Sequence, residues 1–415
     1  MQNPDVIIVG AGAAGVGAGI ELTERGISCL ILEAADRIGG RAFTDKTSLS
    51  HPWDHGCHWF HSADKNPLVP WADKLGTRYN REDWEEHFEI WSAGKWEDRE
   101  TVHKARAALE SAYEAVEDAA EEGNDDAMSS VLPDDGRWNR ASRYIIALLH
   151  SEDPERLSIL GAEDYEDTEK NWPVISGYGD LIERMAKGLN IRLGLAATAV
   201  VETPTGIRVE TVEGAIEAKA AIITTSTNVL SSGAIEIGHG PARDLLDLIA
   251  DIPCGAYEKV AITLSHPLVS DPKTRFTMVD PGEPASPLDF QVIQEPGPMM
   301  IAHLGGDFAR EWIAAGEPAR MDFALERLEM AFGAEGRAAV TGIATTNWLE
   351  NPFVQGAYSY ALPNRGTRRH EMIEADTGRI AFAGEAFSLA WQATAHGAYQ
   401  SGRDVAARVA GHVAR

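Results

Sequence analysis

The sequence predicts an α/β protein of two intertwined domains, one built on a parallel sheet and the other α+β. Three observations predict it. A strand, a glycine-rich turn, a helix and a second strand follow one another between Asp5 and Glu33. Amphipathic helices and short strands fill the middle of the chain. A short apolar strand, a Gly-Glu turn and a helix entered through small residues close it, from Arg379 to Gly402. Strands alternating with helices suit a parallel sheet covered on its faces.

The opening unit is the most specific. Asp5-Val6-Ile7-Ile8-Val9 reads as the strand, Gly10-Ala11-Gly12-Ala13-Ala14-Gly15 as the turn into the helix, and Ser28–Leu32 as the second strand. Gly10 allows the tight turn, Gly12 lets the backbone approach a pyrophosphate, and Gly15 lets helix and strand pack closely. The helix N-terminus offers unpaired N–H groups and partial positive charge to the phosphates. Glu33, ending the second strand, can accept both ribose hydroxyls. Strand before, helix after and acid at this distance make the fingerprint one for a dinucleotide. Nicotinamide and flavin enzymes share it, so the choice between them rests on other residues.

Composition narrows the function classes. With 415 residues the chain can bury a large core. Its net charge of −27 lacks the basic footprint of nucleic-acid binding and can attract cationic substrates. Cys29, Cys57 and Cys254 are far apart and form no zinc or disulfide pattern. The uncharged run Val6–Ile20 is short and glycine-laden, so it reads as a phosphate-binding turn and not as a signal peptide. No membrane association and a cytoplasmic location are expected.

In the middle of the chain, Val102, Ala105, Leu109, Ala112, Tyr113, Val116 and Ala119 recur at helical spacing. They predict an amphipathic surface helix of the second domain. A helix over Leu181–Leu189 follows, then short strands at Thr198–Val201, Gly206–Val212 and Ala220–Thr224, with a turn at Pro204-Thr205-Gly206. Further on, Lys259–Leu264 reads as a strand and Met321–Phe332 as a helix.

Past Glu33 comes Gly39-Gly40-Arg41, which brings more backbone and a guanidinium toward the same pyrophosphate. Near the other end stand Arg379-Ile380-Ala381-Phe382-Ala383-Gly384-Glu385 and Thr394-Ala395-His396-Gly397. Together these segments resemble the flavin-containing amine oxidases, which include monoamine oxidases, polyamine oxidases and lysine-specific histone demethylases. The likeness runs from Asp5 to about Val409 and is nearest in motif detail to the polyamine oxidases. It implies a discontinuous Rossmann-like FAD-binding domain over 1–75, 176–252 and 371–415. It implies a substrate-binding domain over 76–175 and 253–370. It also carries cofactor contacts onto Gly10, Gly12, Ala14, Gly15, Glu33, Ala34, Gly40, Arg41, Gly56, Cys57, Thr224, Trp348, Gly384, Glu385, Thr394 and Ala395, with the backbone at Val200 holding the adenine. Ala357 stands where monoamine oxidases attach the flavin through cysteine, so the FAD is expected to be non-covalent.

Five residues are expected to carry the chemistry. The segment Gly255–Val260 matches the one whose lysine, here Lys259, holds a water against flavin N5; burial would favour its neutral amine. Trp348–Tyr358 matches the stretch that sets a tryptophan beside the flavin and a tyrosine, Tyr358, on the substrate side, where a ring face can guide an amine. Thr394 replaces the second tyrosine of the monoamine oxidase cage, as in the histone demethylases, and opens that wall. His61 matches the tunnel histidine of animal-type polyamine oxidases, although Ser62 replaces a glycine.

A rival reading has His51, His55, His58 and His61 chelating zinc or copper with Cys57. Their spacing fits no established zinc pattern, and no metal is expected. Two departures from the family stand out: Ala35 lacks the usual base near the ribose, and Ser226 replaces a proline.

The activity implied is oxidation of an amine by hydride transfer from its α-carbon to flavin N5, with O2 as acceptor and hydrogen peroxide as product. Polyamines or other cationic amines come first among substrates. An L-amino-acid oxidase is the alternative and needs a pocket arginine for the carboxylate, with Arg275, Arg310 and Arg365 as candidates. A flavin desaturase or isomerase is a further alternative.

Overall fold

Four short apolar strands cannot be half-solvated, and the chain buries them on both faces of one parallel sheet. A computed structural model describes residues 3–81, 87–134 and 136–413. Its five-stranded sheet has the order Ile380–Phe382, Ala220–Ile223, Val6–Val9, Cys29–Leu32, Ile191–Arg192, and every pairing is parallel. Val6–Val9 is central, with Val6 opposite both Cys29 and Ala220.

The helix Ala13–Glu24 follows the glycine turn and packs on the long C-terminal helix Ala395–Val413. Glycines set how close they come. A Cβ on Gly17 would lie 2.4 Å from the Tyr399 carbonyl, and one on Gly402 would lie 2.0 Å from that of Ala14. Gly15 has the role expected of it, since a Cβ there would lie 1.9 Å from the Gly10 carbonyl. First helix and last helix are thus locked backbone to backbone.

The second sheet has seven strands in the order Val340–Thr345, Tyr257–Leu264, Met299–Gly305, Leu288–Ile293, Thr274–Asp280, His87–Ser92, Lys95–Trp96. All neighbours are antiparallel except Thr274–Asp280 beside His87–Ser92. One face packs Val260, Ile262, Phe290 and Ala302 against Phe323 and Leu328 of a long helix. The other face looks toward the helices Arg99–Glu121 and Asn139–His150 and into a cavity. A separate four-stranded sheet holds the hairpin Ala197–Thr203 and Gly206–Thr211.

Three elements differ from expectation. The helix expected at Leu181–Leu189 runs Tyr178–Met185, started where Asp54 accepts the Tyr178 N–H. The helix expected over Met321–Phe332 runs Glu317–Ala339 and kinks at Gly333, whose φ of 66° breaks the helical path. The helix Arg99–Glu121 is amphipathic as expected, with Asp98 capping Thr101 N–H at 2.8 Å. Its apolar face, however, turns Val102, Leu109 and Tyr113 to the cavity. Among the described residues no helix is long and apolar enough to cross a membrane.

Candidate active site

One cavity of about 2830 Å³ runs from the glycine turn of the parallel sheet to the inner face of the seven-stranded sheet. At its first end, Gly12 ends the turn without any side chain to cap the helix, so the first helical N–H groups are left for a ligand. A Cβ on Gly12 would meet no protein atom nearer than 3.9 Å, and one on Gly384 none within 4 Å. Both glycines line the cavity, so side chains there would fill space that belongs to a bound group. Thr224 pins the turn by donating to the Val9 carbonyl at 2.9 Å.

Glu33 stands beside this turn, its two oxygens accepting the Ala11 N–H at 2.7 Å and the Ala35 N–H at 2.9 Å. Those bonds fix the carboxylate and leave lone pairs for ribose hydroxyls. Arg41 bonds Glu385 at 2.8 Å and the Ala357 carbonyl at 2.5 Å, both through Nη1. The other Glu385 oxygen accepts the Ser359 hydroxyl at 2.6 Å and the Ala393 N–H at 3.2 Å. Glu385 is therefore a buried strut between three segments, and it orients Arg41.

At the far end Lys259 projects from its strand into the cavity and is buried. Its Nζ contacts the carbonyls of Asp54 at 3.1 Å and Gly56 at 2.6 Å, and His58 Nδ1 at 3.0 Å. Burial lowers its pKa to about 8, against the opposing pull of Asp54. The next residue back, Glu258, points the other way. Its carboxylate accepts the N–H groups of Trp348 at 2.7 Å and Leu349 at 3.0 Å and the Thr346 hydroxyl. Trp348 in turn donates its indole N–H to the His55 carbonyl at 3.2 Å. One strand thus aims the lysine and holds the tryptophan.

Comparisons with known proteins agree with this geometry. The profile of the flavin containing amine oxidoreductase family matches residues 145–410, and that of an NAD(P)-binding Rossmann-like domain matches residues 8–75. The chain belongs to the flavin-containing amine oxidoreductases. It is 27% identical to polyamine oxidase 4 of Oryza sativa, over 96% of this chain and 87% of that one. It is 26% identical to polyamine oxidase 2 of Arabidopsis thaliana, over 97% and 87%. Lysine-specific histone demethylase 2 of Homo sapiens is 23% identical over 99% of this chain and 54% of its own length. Cyclohexylamine oxidase of Brevibacterium oxydans shares the fold, with a TM-score of 0.85 at 20% identity over 100% of both chains.

As a member of this family the protein is an FAD-dependent amine oxidase. The dinucleotide cradle fits that cofactor, since glycine backbone, an uncapped helix start, a ribose acceptor and Arg41 all face one cavity.

Of the sequence-predicted site residues, the cavity wall includes Gly10, Gly12, Ala14, Glu33, Ala34, Gly40, Arg41, Gly56, Cys57, Thr224, Gly384, Glu385, Thr394 and Ala395, together with His61, Lys259, Trp348 and Tyr358. Val200 is displaced from its expected place. It is buried in the core, its carbonyl accepts the Gly238 N–H at 2.9 Å, and Ala197 and Thr198 face the cavity instead. That bond takes the Val200 carbonyl, one of the backbone groups expected to meet the adenine.

Other placements refine the picture. Tyr358 donates its hydroxyl to the Leu148 carbonyl, which leaves its ring rather than its oxygen to face a ligand. Thr394 caps the C-terminal helix, accepting the Gly397 N–H at 3.0 Å. His61 Nδ1 bonds Asn171 at 2.7 Å. Ser226 caps the helix Thr227–Ser231 and also donates to the Val354 carbonyl at 2.6 Å, which a proline could not do. The histidines do not gather into one chelating set: His55 meets Asp45, His58 meets Lys259 and His61 meets Asn171. Arg310 pairs with Glu152 and Asp307, Arg365 with Asp251, and Arg275 bonds the Pro272 carbonyl; none of the three lines the cavity.

Sequence reasoning passed over Glu258, Ala197 and the pair Asp289–His303, and weighed His58 only as a metal ligand. Glu258 carried a signal, being an acid inside an apolar strand next to the chosen lysine.

Proposed function

We propose that the protein oxidises cationic amines, polyamines first, with Lys259, Trp348, Tyr358, Thr394 and His61 forming the reaction chamber. One observation carries this reading: Lys259 and Trp348 converge, through Glu258, on the wall of the same cavity that begins at the dinucleotide cradle. FAD, held by Gly12, Glu33 and Arg41, would supply the two-electron acceptor for a hydride from the amine α-carbon, with O2 as final acceptor and hydrogen peroxide as product. The amine is left as an imine, which water hydrolyses to carbonyl compound and free amine.

The protein's part is positioning. Lys259, with its lowered pKa and its three nitrogen positions taken by Asp54, Gly56 and His58, can exchange a proton at the reacting end. The rings of Tyr358 and Trp348 offer faces that steer an amine nitrogen. His61, kept neutral by burial, can accept a hydrogen bond from a substrate N–H. Thr394 takes less room than a tyrosine and favours long substrates.

The polyamine preference draws support from the relatives' names and from the −27 charge. Arg275, Arg310 and Arg365 lie off the cavity, so an amino-acid carboxylate would have to meet another guanidinium of its wall, such as Arg99 or Arg106. We further assign the cofactor-binding unit to 1–75, 176–252 and 371–415 and the substrate-binding unit to 76–175 and 253–370. Three free cysteines support a reducing, cytoplasmic setting.

The deciding experiment is peroxide production by the holoenzyme across polyamines, diamines, monoamines and L-amino acids. Activity on amines, with polyamines foremost, is the expected result. Peroxide from L-amino acids alone would overturn it.

A further inference from the structure

Across the inner face of the seven-stranded sheet, Lys259 is the register partner of His303, and His303 is the partner of Asp289. All three side chains line the cavity. Asp289 is 3% exposed and His303 5% exposed, with Asp289 Oδ2 3.8 Å from His303 Nδ1. Among the described residues, Asp289 Oδ1 and His303 Nε2 have no hydrogen-bond partner.

That is unusual for a buried acid, and the other buried acids of this site show the contrast. Glu258 accepts three donors, and Asp54 accepts the Thr44 hydroxyl and the Tyr178 N–H. An acid kept for structure is satisfied in this way, because an unpaired buried acceptor costs free energy. Asp289 is not. Burial alone holds its carboxyl well above the ordinary carboxylate range, with no protein cation to offset it. Burial and Lys259 hold His303 down to about 3, so its ring is a neutral acceptor. With the proton on Nδ1, the Nε2 lone pair has no donor among the described residues. The Tyr257 ring, 5.7 Å from that of His303 and also on the cavity wall, adds a face attractive to cations.

Resting on the amine oxidase reading above, we propose that Asp289 and His303 bind a second ammonium group of the substrate, away from the nitrogen that is oxidised. An alkylammonium offers three N–H donors, and the carboxylate and imidazole supply acceptors for them. As the ammonium binds, Asp289 gives its proton up to solvent, and the carboxylate left behind forms an ion pair screened from water. Two strand spacings separate Asp289 from Lys259, roughly 10 Å. The site therefore selects diamines and polyamines whose nitrogens stand about that far apart.

The test uses the holoenzyme and Asp289→Asn, which keeps size and removes the charge. With 1,8-diaminooctane, kcat/KM should fall at least about tenfold, whereas with octylamine it should change less than about twofold. In calorimetric titrations, the Kd of unreactive octylguanidine should rise about tenfold or more, and that of octanol should not move. Equal losses for both amines, or an unchanged octylguanidine Kd, would overturn the site. Should the Asn variant lose its flavin, His303→Leu in the same assays replaces it and is read by the same criteria. If the wild type oxidises neither amine, the proposed function fails, and the octylguanidine titration still decides whether this cation site exists.

Discussion

Lys259 Nζ stands 3.0 Å from His58 Nδ1, and two backbone carbonyls complete its surroundings. That set satisfies either protonation state of the lysine. As an ammonium it donates to all three neighbours. As a neutral amine it donates to the carbonyls of Asp54 and Gly56 and accepts from His58, provided the imidazole moves its proton to Nδ1. A proton can thus leave or return to Lys259 with only a tautomer change beside it.

Lys259→Met should leave the flavin bound and impair turnover. The oxidative half-reaction should slow more than the reductive one if the lysine serves reoxidation of the cofactor. Stopped-flow absorbance follows each half-reaction separately, and wild-type rates in both would remove Lys259 from the mechanism.

The same residue predicts a pH effect on stability. Its pKa falls from 10.5 to about 8 on folding, so between those values the unfolded chain binds the extra proton. Stability contributed by this group therefore rises with pH across that window. Between pH 7 and pH 10.5 the wild type should gain about 3 kcal/mol relative to Lys259→Met. Denaturant unfolding of both proteins at the two pH values measures the gain, and parallel pH profiles would contradict it.

Glu258→Ala should loosen Trp348, because two backbone N–H groups and the Thr346 hydroxyl lose their acceptor. Each buried donor left unpaired costs about 1–3 kcal/mol. The melting temperature should drop and kcat should fall. An unshifted melting temperature would mean that water takes over the carboxylate's role.

Glu33→Ala should lower FAD occupancy after dialysis, since the Ala11 and Ala35 N–H groups and the ribose lose one shared acceptor. In the wild type, acid or heat should release the flavin into the supernatant, as Ala357 offers no atom for a tether. Colour that stays with the precipitate would refute non-covalent binding.

Long-range attraction makes a separate prediction. The −27 charge should raise kcat/KM for polyamines at low salt, and the advantage should shrink as the Debye length falls from about 10 Å at 0.1 M to about 3 Å at 1 M. His61→Ala should harm a polyamine more than a simple amine. Salt-independent polyamine kinetics would leave the charge a role in solubility only.

The dinucleotide end was legible in sequence because backbone geometry permits few alternatives. Gly10, with φ of 108°, and Gly15, pressed against the Gly10 carbonyl, tolerate no other residue without strain. Lys259 and Trp348 were legible through the family resemblance; alone, each would pass for an ordinary strand or core residue. Val200 came from the family resemblance alone, and nothing along Ala197–Thr203 says in sequence which residue faces the cavity. Asp289 was hidden for a related reason. Leu288-Asp289-Phe290-Gln291-Val292 alternates as any half-solvated strand does, and only the sheet's placement over a cavity turns its polar side inward.

The ion pair of Arg41 with Glu385 joins residues 344 positions apart, and the first helix is locked against the last by Gly17 and Gly402. Ribosomes make the glycine turn first and its closing carboxylate long afterwards. A nascent chain arrested before Arg379 holds the turn but lacks the edge strand, the strut and the helix that seat it. Capture of the dinucleotide therefore waits for Ile380–Phe382, Glu385 and the helix Ala395–Val413 to be made, and cofactor supply acts on chains that already carry both sides of the cradle.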